Sequence, residues 1–464
     1  MNLPAAKLAF DADLIRKYDQ FGPRYTSYPT ADRFHEGFGP ADYVDAMIAR
    51  NHERPADPLS VYVHIPFCNT ICFYCGCNKV ITKDHGRSAK YIRYVAREIG
   101  IVAAILEGER PVVQLHLGGG TPTFLAREEM ADLMGHLRRG FAIRPDAEIS
   151  IEVDPRKVDA GAVAFLGQLG FNRISVGVQD FDADVQKAVN RIQSEAETRV
   201  VTDAARANGF VSVNIDLIYG LPRQTLPGFS ATLDKVIAAS PDRIALYNYA
   251  HLPHLFKPQR RISLDEVPTP ETKLAILALA IDKLGAAGYV YIGMDHFAKP
   301  DDELARAQAA HRLHRNFQGY TTRPECDLVA FGISAIGKVG RTYAANVKTL
   351  DEYYDLLDRH VLPVKRGYRL TDDDLVRRDA IARLMCDFEL APRDIEARHG
   401  VRFAEYFAPE LAALAPLAED GLVEITPEAI RVTPRGRLLV RSAAMLFDRH
   451  LREAAERARY SKVI

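Results

Sequence analysis

Tyr62-Val63-His64-Ile65-Pro66-Phe67-Cys68-Asn69-Thr70-Ile71-Cys72-Phe73-Tyr74-Cys75-Gly76-Cys77 is the stretch around which the chain is organised. It begins as an apolar strand, Ser60–Ile65, and turns at Pro66 into a loop that holds four of the six cysteines. Cys68, Cys72 and Cys75 are spaced C-x3-C-x2-C. Three thiolates on one short loop can hold three corners of a 4Fe–4S cluster, and the fourth iron then keeps a position open for a ligand.

Other uses of clustered cysteines fit less well. A structural zinc site takes four closed ligands, usually as paired knuckles, and no second pair follows. Disulfide frameworks belong to short secreted chains, whereas this one has 464 residues and no signal-peptide pattern. Chance clustering is a poor account in a chain otherwise almost free of cysteine.

The 60 basic and 61 acidic residues nearly cancel, so nothing points to a nucleic-acid or membrane surface. No apolar run reaches the length of a membrane span. A reducing cytoplasm suits both free thiols and an oxygen-sensitive cluster, so a cytoplasmic location is expected.

From Leu59 onward, apolar runs alternate with amphipathic ones. Strands are expected at Ser60–Ile65, Val112–Leu117, Glu148–Val153, Arg173–Val178, Val211–Ile218 and Arg243–Tyr249. Helical patterns fall between them at Arg87–Ala104, Glu128–Arg139, Ala160–Leu169, Glu195–Asn208 and Gly228–Ala239. Strand–helix units in series make an α/β chain with a parallel sheet, either a curved partial barrel or a doubly wound layer. Both architectures collect their chemistry at the carboxyl ends of the strands. The cysteine loop sits at that end of the first strand.

Polar residues recur at the same address. Gly118-Gly119-Gly120-Thr121 follows the second strand, where glycines let the backbone approach a polar ligand. Glu152 and Asp154 end the third strand, Gln179 and Asp180 the fourth, and Asp216 lies late in the fifth. One such residue is routine, but successive strand ends with the same habit suit the hydroxyls and ammonium group of a nucleoside ligand.

Residues 1–57 read as an arm whose run Gly22–Thr30 is too rich in Pro, Gly and Thr for a long helix, a surface strap or a lid. His314–Thr322 reads as an ordered loop, and Phe331–Gly337 as a small apolar turn able to cover an adenine face. Past Leu370 the pattern changes to helices at Asp372–Phe388, Pro392–Arg398 and Pro409–Asp420, a hairpin, and a last helix Gly436–Glu456. The unit resembles a winged helix, yet without a basic excess it is expected to cover the barrel and not to bind DNA.

C-x3-C-x2-C after a strand resembles the radical S-adenosylmethionine (SAM) superfamily. Longer motifs make the resemblance specific to the oxygen-independent coproporphyrinogen III oxidases: GPRYTSYPTA, GGGTPT, IEVDPR, GVQDF, NIDLIYGLP, HRNFQGYTT, GISAIG and the terminal YSKVI. The resemblance implies a partial (βα)6 TIM-like barrel (58–365) with an N-terminal arm (1–57) and a mostly helical C-terminal domain (366–464). It also implies conversion of coproporphyrinogen III to protoporphyrinogen IX, with two propionates becoming vinyl groups. A low-potential electron donor, an unidentified electron acceptor and a monomeric enzyme are expected with it. A haem-carrying relative shares the loop but lacks both the arm and a cysteine at position 77.

Carried over by resemblance, Cys68, Cys72 and Cys75 ligate the cluster, and Cys77 is an extra cysteine needed for activity. Two SAM molecules are implied. Tyr62, Gly119, Glu152 and Ile336 match positions for the first. Tyr74, Gly120, Thr121, Gln179, Arg191, Asp216 and Ala250 match those for the second. Tyr74 stands where some members carry Phe. Phe317 and Gln318 match positions implicated in activity. Apart from the resemblance, a substrate with four carboxylates needs cations and arginine offers a bidentate partner, so Arg24 and Arg315 are candidates for that contact.

Overall fold

The computed structural model describes residues 8–54, 56–106, 110–323 and 326–453. The terminal YSKVI and the last three positions of the expected Gly436–Glu456 helix lie outside them. Among the described residues the main sheet has twelve strands, numbered here in chain order. They are β1 Leu59–Ile65, β2 Pro111–Gly119, β3 Ala142–Val153, β4 Arg173–Gln179, β5 Ser212–Tyr219 and β6 Arg243–Asn248. Then come β7 Val290–Gly293, β8 His296–Ala298, β9 Asp327–Phe331, β10 Ile336–Val339, β11 Thr342–Asn346 and β12 Val364–Arg369.

The spatial order is β12-β11-β10-β9-β1-β2-β3-β4-β5-β6-β8-β7. Strands β1 to β6 are parallel and neighbour one another in sequence order. A doubly wound sheet reverses its order at a switch point; this one does not. Right-handed crossovers therefore put the helices that join these strands on one face and leave the other as a lumen. That is the barrel alternative.

Side-chain alternation fills the two faces differently. Val61, Val63, Ile65, Leu115, Leu117, Ile151, Val176, Ile215, Leu217 and Ile244 are buried on the helix-facing side. Each fully buried aliphatic side chain there contributes about 1.5–3 kcal/mol. The alternate positions (Tyr62, His64, His116, Ser150, Glu152, Ser175, Asn214, Asp216, Tyr247) are mostly polar. Ordinary barrels of this kind fill their interior with branched aliphatics; this lumen is lined for a polar ligand.

Local sequence explains the crossover helices. Glu195–Ala207 starts with a capping box, in which Ser194 Oγ accepts from Glu197 N–H while the Glu197 carboxylate accepts from Ser194 N–H. It buries Thr198, Val201, Ala204 and Ala205, a helical stripe, and stops before Gly209 with φ +77°. At the amino ends of the strands, Ser60, Gln114, Glu148, Arg173 and Glu303 form a chain of hydrogen bonds and ion pairs that ties neighbouring strands together.

The arm includes the helix Pro40–Glu53, which packs on β10, β11 and β12. Its Gly22–Thr30 run is not laid over a surface. Tyr25 (5% exposed) and Tyr28 (2%) are buried. Tyr25 donates to Asp448, Arg441 donates to the Pro23 carbonyl, and Tyr343 donates to the Tyr28 carbonyl. The run is wedged between the sheet and the C-terminal helices.

Some expected elements take a different form. His314–Asn316 and Gly319–Thr321 pair as a hairpin with Phe317 and Gln318 at its turn, so the expected loop is ordered by a ladder. The expected apolar turn Phe331–Gly337 is the connection between β9 and β10. The expected helix Pro409–Asp420 divides into Ala408–Ala413 and Ala415–Glu419 at Leu414, where Pro416 lacks the N–H to continue the ladder. Gly436–Glu456 divides into Val440–Leu446 and Arg449–Glu453 within the described residues. No helix among them is long and apolar enough to cross a membrane.

Candidate functional site

The cysteine loop leaves β1 at Pro66 and is closed by a two-rung parallel ladder, Phe67–Cys68 against Val80–Ile81. Its middle is held by Phe73 N–H on the Val189 carbonyl (2.9 Å) and Asn190 Nδ2 on the Ile71 carbonyl (2.7 Å). The end of β2 presses on it, with Gly120 N–H on the Ile65 carbonyl and Thr121 N–H on the Phe67 carbonyl. A Cβ at Gly120 would stand 2.7 Å from Pro66 backbone atoms, and one at Gly119 (φ +116°) 2.6 Å from the His64 ring. Close approach of these two strand ends requires glycine at both positions.

The thiols differ in their surroundings. Burial pushes Cys68 up to about 11, against a hydrogen bond from Thr121 at 3.4 Å. Cys75 is pulled down to about 6, first by a hydrogen bond from Cys77, and Cys77 is correspondingly raised. Lys79 reaches over the carbonyls of Cys75 and Cys77 at 3.2 and 3.1 Å. Arg191 and Arg156 bring guanidiniums 3.6 and 3.9 Å from Cys72 Sγ, and both pair with Asp154.

Among the described residues no three His, Cys, Asp or Glu side chains converge on a point as ligands of a single ion. An iron–sulfur cluster is instead held at its corners. Three thiols on one loop, with two guanidiniums beside Cys72, fit a cluster whose ligands carry negative charge.

Inside the lumen, Glu152 accepts from Gly119 N–H at 3.0 Å and faces His116 Nε2 at 3.5 Å. Burial pushes its carboxyl upward, but His116 and Gly119 outweigh it and hold the carboxyl below its ordinary value. His116 also stacks on Tyr62 (centroids 5.8 Å, 15° between planes), whose hydroxyl lies 3.1 Å from His64 Nδ1. Asp216 accepts from Ser175 Oγ and Asn214 Nδ2, both at 2.8 Å, and burial pushes it up to about 6. The two lumen carboxylates thus take up a proton in different pH ranges, Asp216 at a higher pH than Glu152.

The expected site residues fall into three groups. Tyr62, Gly119 and Glu152 meet around His116. Tyr74 lies beside Arg191 and Cys72, and Gln259 Nε2 donates to the Tyr74 and Ala250 carbonyls at 3.0 and 3.2 Å. Gln179, with φ +68°, lies over Gly177 and keeps a buried Oε1 without a hydrogen-bond partner. Ile336 and Phe317 pack apart from these with Tyr343, and both amide atoms of Gln318 are buried and unpartnered. The orphaned Gln179 oxygen, at the end of a barrel strand, fits a lumen that accepts a polar cofactor.

Arg24 pairs with Asp295 and faces the Tyr247 ring at 5.9 Å. Arg315 lies over the Tyr320 ring at 4.7 Å. Burial first, then both arginines, drive His296 down to about 3, which leaves it neutral. Sequence reasoning missed His116 and Arg156. His116 was legible, since alternation along Gln114-Leu115-His116-Leu117 puts it on the lumen face with Tyr62.

The pattern of the radical SAM superfamily matches residues 62–236, and that of the HemN C-terminal domain matches residues 370–439. The oxygen-independent coproporphyrinogen III oxidase of Pseudomonas aeruginosa is 52% identical over 459 residues, covering 98% of this chain and 99% of that protein. The Escherichia coli K12 protein of the same name is 49% identical over 458 residues, covering 99% of each. The solved structure of coproporphyrinogen III oxidase (HemN) from Escherichia coli, described as a radical SAM enzyme, superposes with a TM-score of 0.91 at 47% identity. That match covers 96% of this chain and all of the other. The chain belongs to the oxygen-independent coproporphyrinogen III oxidase family of the radical SAM superfamily.

Proposed function

We propose that this protein converts coproporphyrinogen III to protoporphyrinogen IX without oxygen, as a monomer in a reducing compartment. The observation that carries the reading is the lumen, with three thiols on one loop at its mouth and ionised Glu152 and poised Asp216 inside. Each reacting propionate becomes a vinyl group as it gives up CO2, a proton and two electrons. One electron leaves with the hydrogen atom, and the other passes to a one-electron acceptor. When bound, the cluster and SAM supply the hydrogen-atom abstraction, which acid–base groups cannot perform on an unactivated C–H bond.

The chain's own residues bind and orient. Cys68, Cys72 and Cys75 hold the cluster, and Arg191 and Arg156 offset its charge. Tyr62, Glu152, Gly119 and Ile336 hold one SAM, with Glu152 attracting the ammonium group. Tyr74, Gly120, Thr121, Gln179, Arg191, Asp216 and Ala250 hold a second. Cys77, Phe317 and Gln318 act in catalysis. The arm (1–57) and the C-terminal domain (366–464) enclose the barrel (58–365) and keep water from the reacting centre.

The test is an anaerobic assay after cluster reconstitution, with SAM, a low-potential reductant and coproporphyrinogen III, read by mass spectrometry. Successive loss of two CO2 with formation of 5′-deoxyadenosine is expected. Deoxyadenosine with an untouched tetrapyrrole would overturn the oxidase reading in favour of a tetrapyrrole-binding relative.

A further inference from the structure

At the amino ends of β1 and β2, away from the cysteine loop, lies a cavity of about 710 Å3. That volume suits a drug-sized ligand or a large part of one. Ser60 and Gln114 line its barrel side, Tyr25 and Tyr28 its arm side, and the helices Asp372–Asp387 and Pro392–His399 its far wall. Phe317 also lines it, edge-on to the lining Tyr343 with ring centroids 5.8 Å apart.

Seven lining side chains are Lys or Arg, against the carboxylates of Asp379 and Asp394. The Asp379 carboxylate is already shared by Arg398 at 2.7 Å, Arg378 at 3.7 Å and His399 at 2.8 Å. Arg383 pairs with Asp387 at 2.6 Å. Arg315 Nε and Nη1 and Arg323 Nε are buried without hydrogen-bond partners. Leaving such donors unmet is costly, and a guanidinium fork matches a carboxylate in shape and charge. Excess positive charge plus unmet N–H groups describe a site for a polycarboxylate.

We propose that this cavity is a carboxylate-binding chamber that receives the two propionates the reaction leaves intact. The inference rests on the proposed function. Coproporphyrinogen III carries four propionates, of which only one pair is to be converted. Ser60 stands five residues before Ile65, where β1 meets the cysteine loop. The chamber therefore begins about 16 Å along the strand from the cluster loop. Anchoring one pair of carboxylates there directs the opposite edge of the macrocycle toward the loop, so the chamber decides which propionates react.

The experiment measures tetrapyrrole binding to anaerobic holoenzyme by fluorescence quenching. The probes are coproporphyrin III, its tetramethyl ester, and mesoporphyrin IX, which keeps only the unreacted pair of propionates. Wild type is compared with Arg315→Gln and Arg323→Gln, and thermal unfolding checks that each variant folds. Arg323 lies nearer the surface and keeps the test informative if Arg315→Gln does not fold. The Kd for coproporphyrin III and for mesoporphyrin IX is expected to rise about tenfold per arginine, the scale of one charge-assisted hydrogen bond. The ester is expected to bind weakly and without regard to the variant.

Values within about twofold of wild type would overturn the chamber, as would tight binding of the ester or no binding of any probe to wild type. An effect on coproporphyrin III alone would also overturn it, because that result assigns the arginines to the reacting pair. Turnover of coproporphyrinogen III by wild type reads the proposed function separately.

Discussion

The guanidinium of Arg191 lies 3.6 Å from the sulfur of Cys72. The same nitrogen, Nη1, meets Asp154 at 3.4 Å, and Nη2 donates to the Gly177 carbonyl, so the group is held on both nitrogens. A buried cation this close lowers the energy of added negative charge on the cluster that Cys72 would hold. Arg191→Ala should shift the cluster midpoint to lower potential and reduce turnover at least about tenfold. Spectroelectrochemical titration measures the first and 5′-deoxyadenosine formation the second. An unchanged midpoint would show that Arg156 alone carries the effect.

Asp216 predicts a pH dependence. Burial is the main cause of its elevation to about 6, opposed by Ser175 and Asn214. Below that pH the carboxyl is neutral and attracts a cationic cofactor less. SAM affinity, measured by equilibrium dialysis, should weaken several-fold between pH 7.5 and about 5.5. Asp216→Asn should bind weakly and flatten the profile. For stability the sign is opposite to that of an ion-paired carboxylate. Between about 4 and 6 the folded state binds the extra proton, so this residue's contribution falls as pH rises.

Glu98, on the helix Gly86–Ile105, accepts from Gly332 N–H (2.8 Å), Asn346 Nδ2 (2.7 Å) and Tyr353 (2.6 Å). It thereby pins the β9–β10 connection that precedes Ile336. Burial pushes Glu98 up to about 7 against those three donors. Glu98→Ala strands the donors and should cost about 2–4 kcal/mol in chemical denaturation. Wild-type stability should lose Glu98's contribution as pH rises from about 4.5 to 7, and the variant should not show that loss.

Arg441 is almost wholly buried and donates to the carbonyls of Gly22 and Pro23. Arg441→Ala leaves those carbonyls unmet and loosens the arm from the C-terminal helices. Faster proteolytic cleavage near Gly22–Thr30 is expected, with destabilisation of about 2–3 kcal/mol. A digestion pattern identical to wild type would mean that Tyr25 and Asp448 hold the arm without it.

Much of the barrel was legible because both of its signals are local. Expected Ser60–Ile65 is β1 Leu59–Ile65, and expected Arg243–Tyr249 is β6 Arg243–Asn248. Alternation places the strands, and caps such as Ser194 place the helices. The sheet extension β9–β12 was not legible. Its strands are short, and β9 is fixed by pairing such as Tyr62 with Ala330, hundreds of residues away in the chain. No local pattern carries that contact. The site was readable at the cysteines, whose spacing is itself chemistry. Arg156 was not, since nothing in Asp154-Pro155-Arg156 announces that its guanidinium returns to Cys72.

The alternation along β1 to β6 separates two kinds of inheritance. On each strand the residues that keep the protein folded point to the helices, and their immediate neighbours in sequence point to the ligand. Val176 and Ile215 can stay constant while Ser175, Asn214 and Asp216 are exchanged. Exchange at the lumen positions near the carboxyl ends therefore changes what the barrel holds while the helix-facing core is kept. A gene library randomised at those codons, with the strand-tying Ser60, Gln114, Glu148 and Arg173 left as they are, would explore new radical chemistries inside one scaffold.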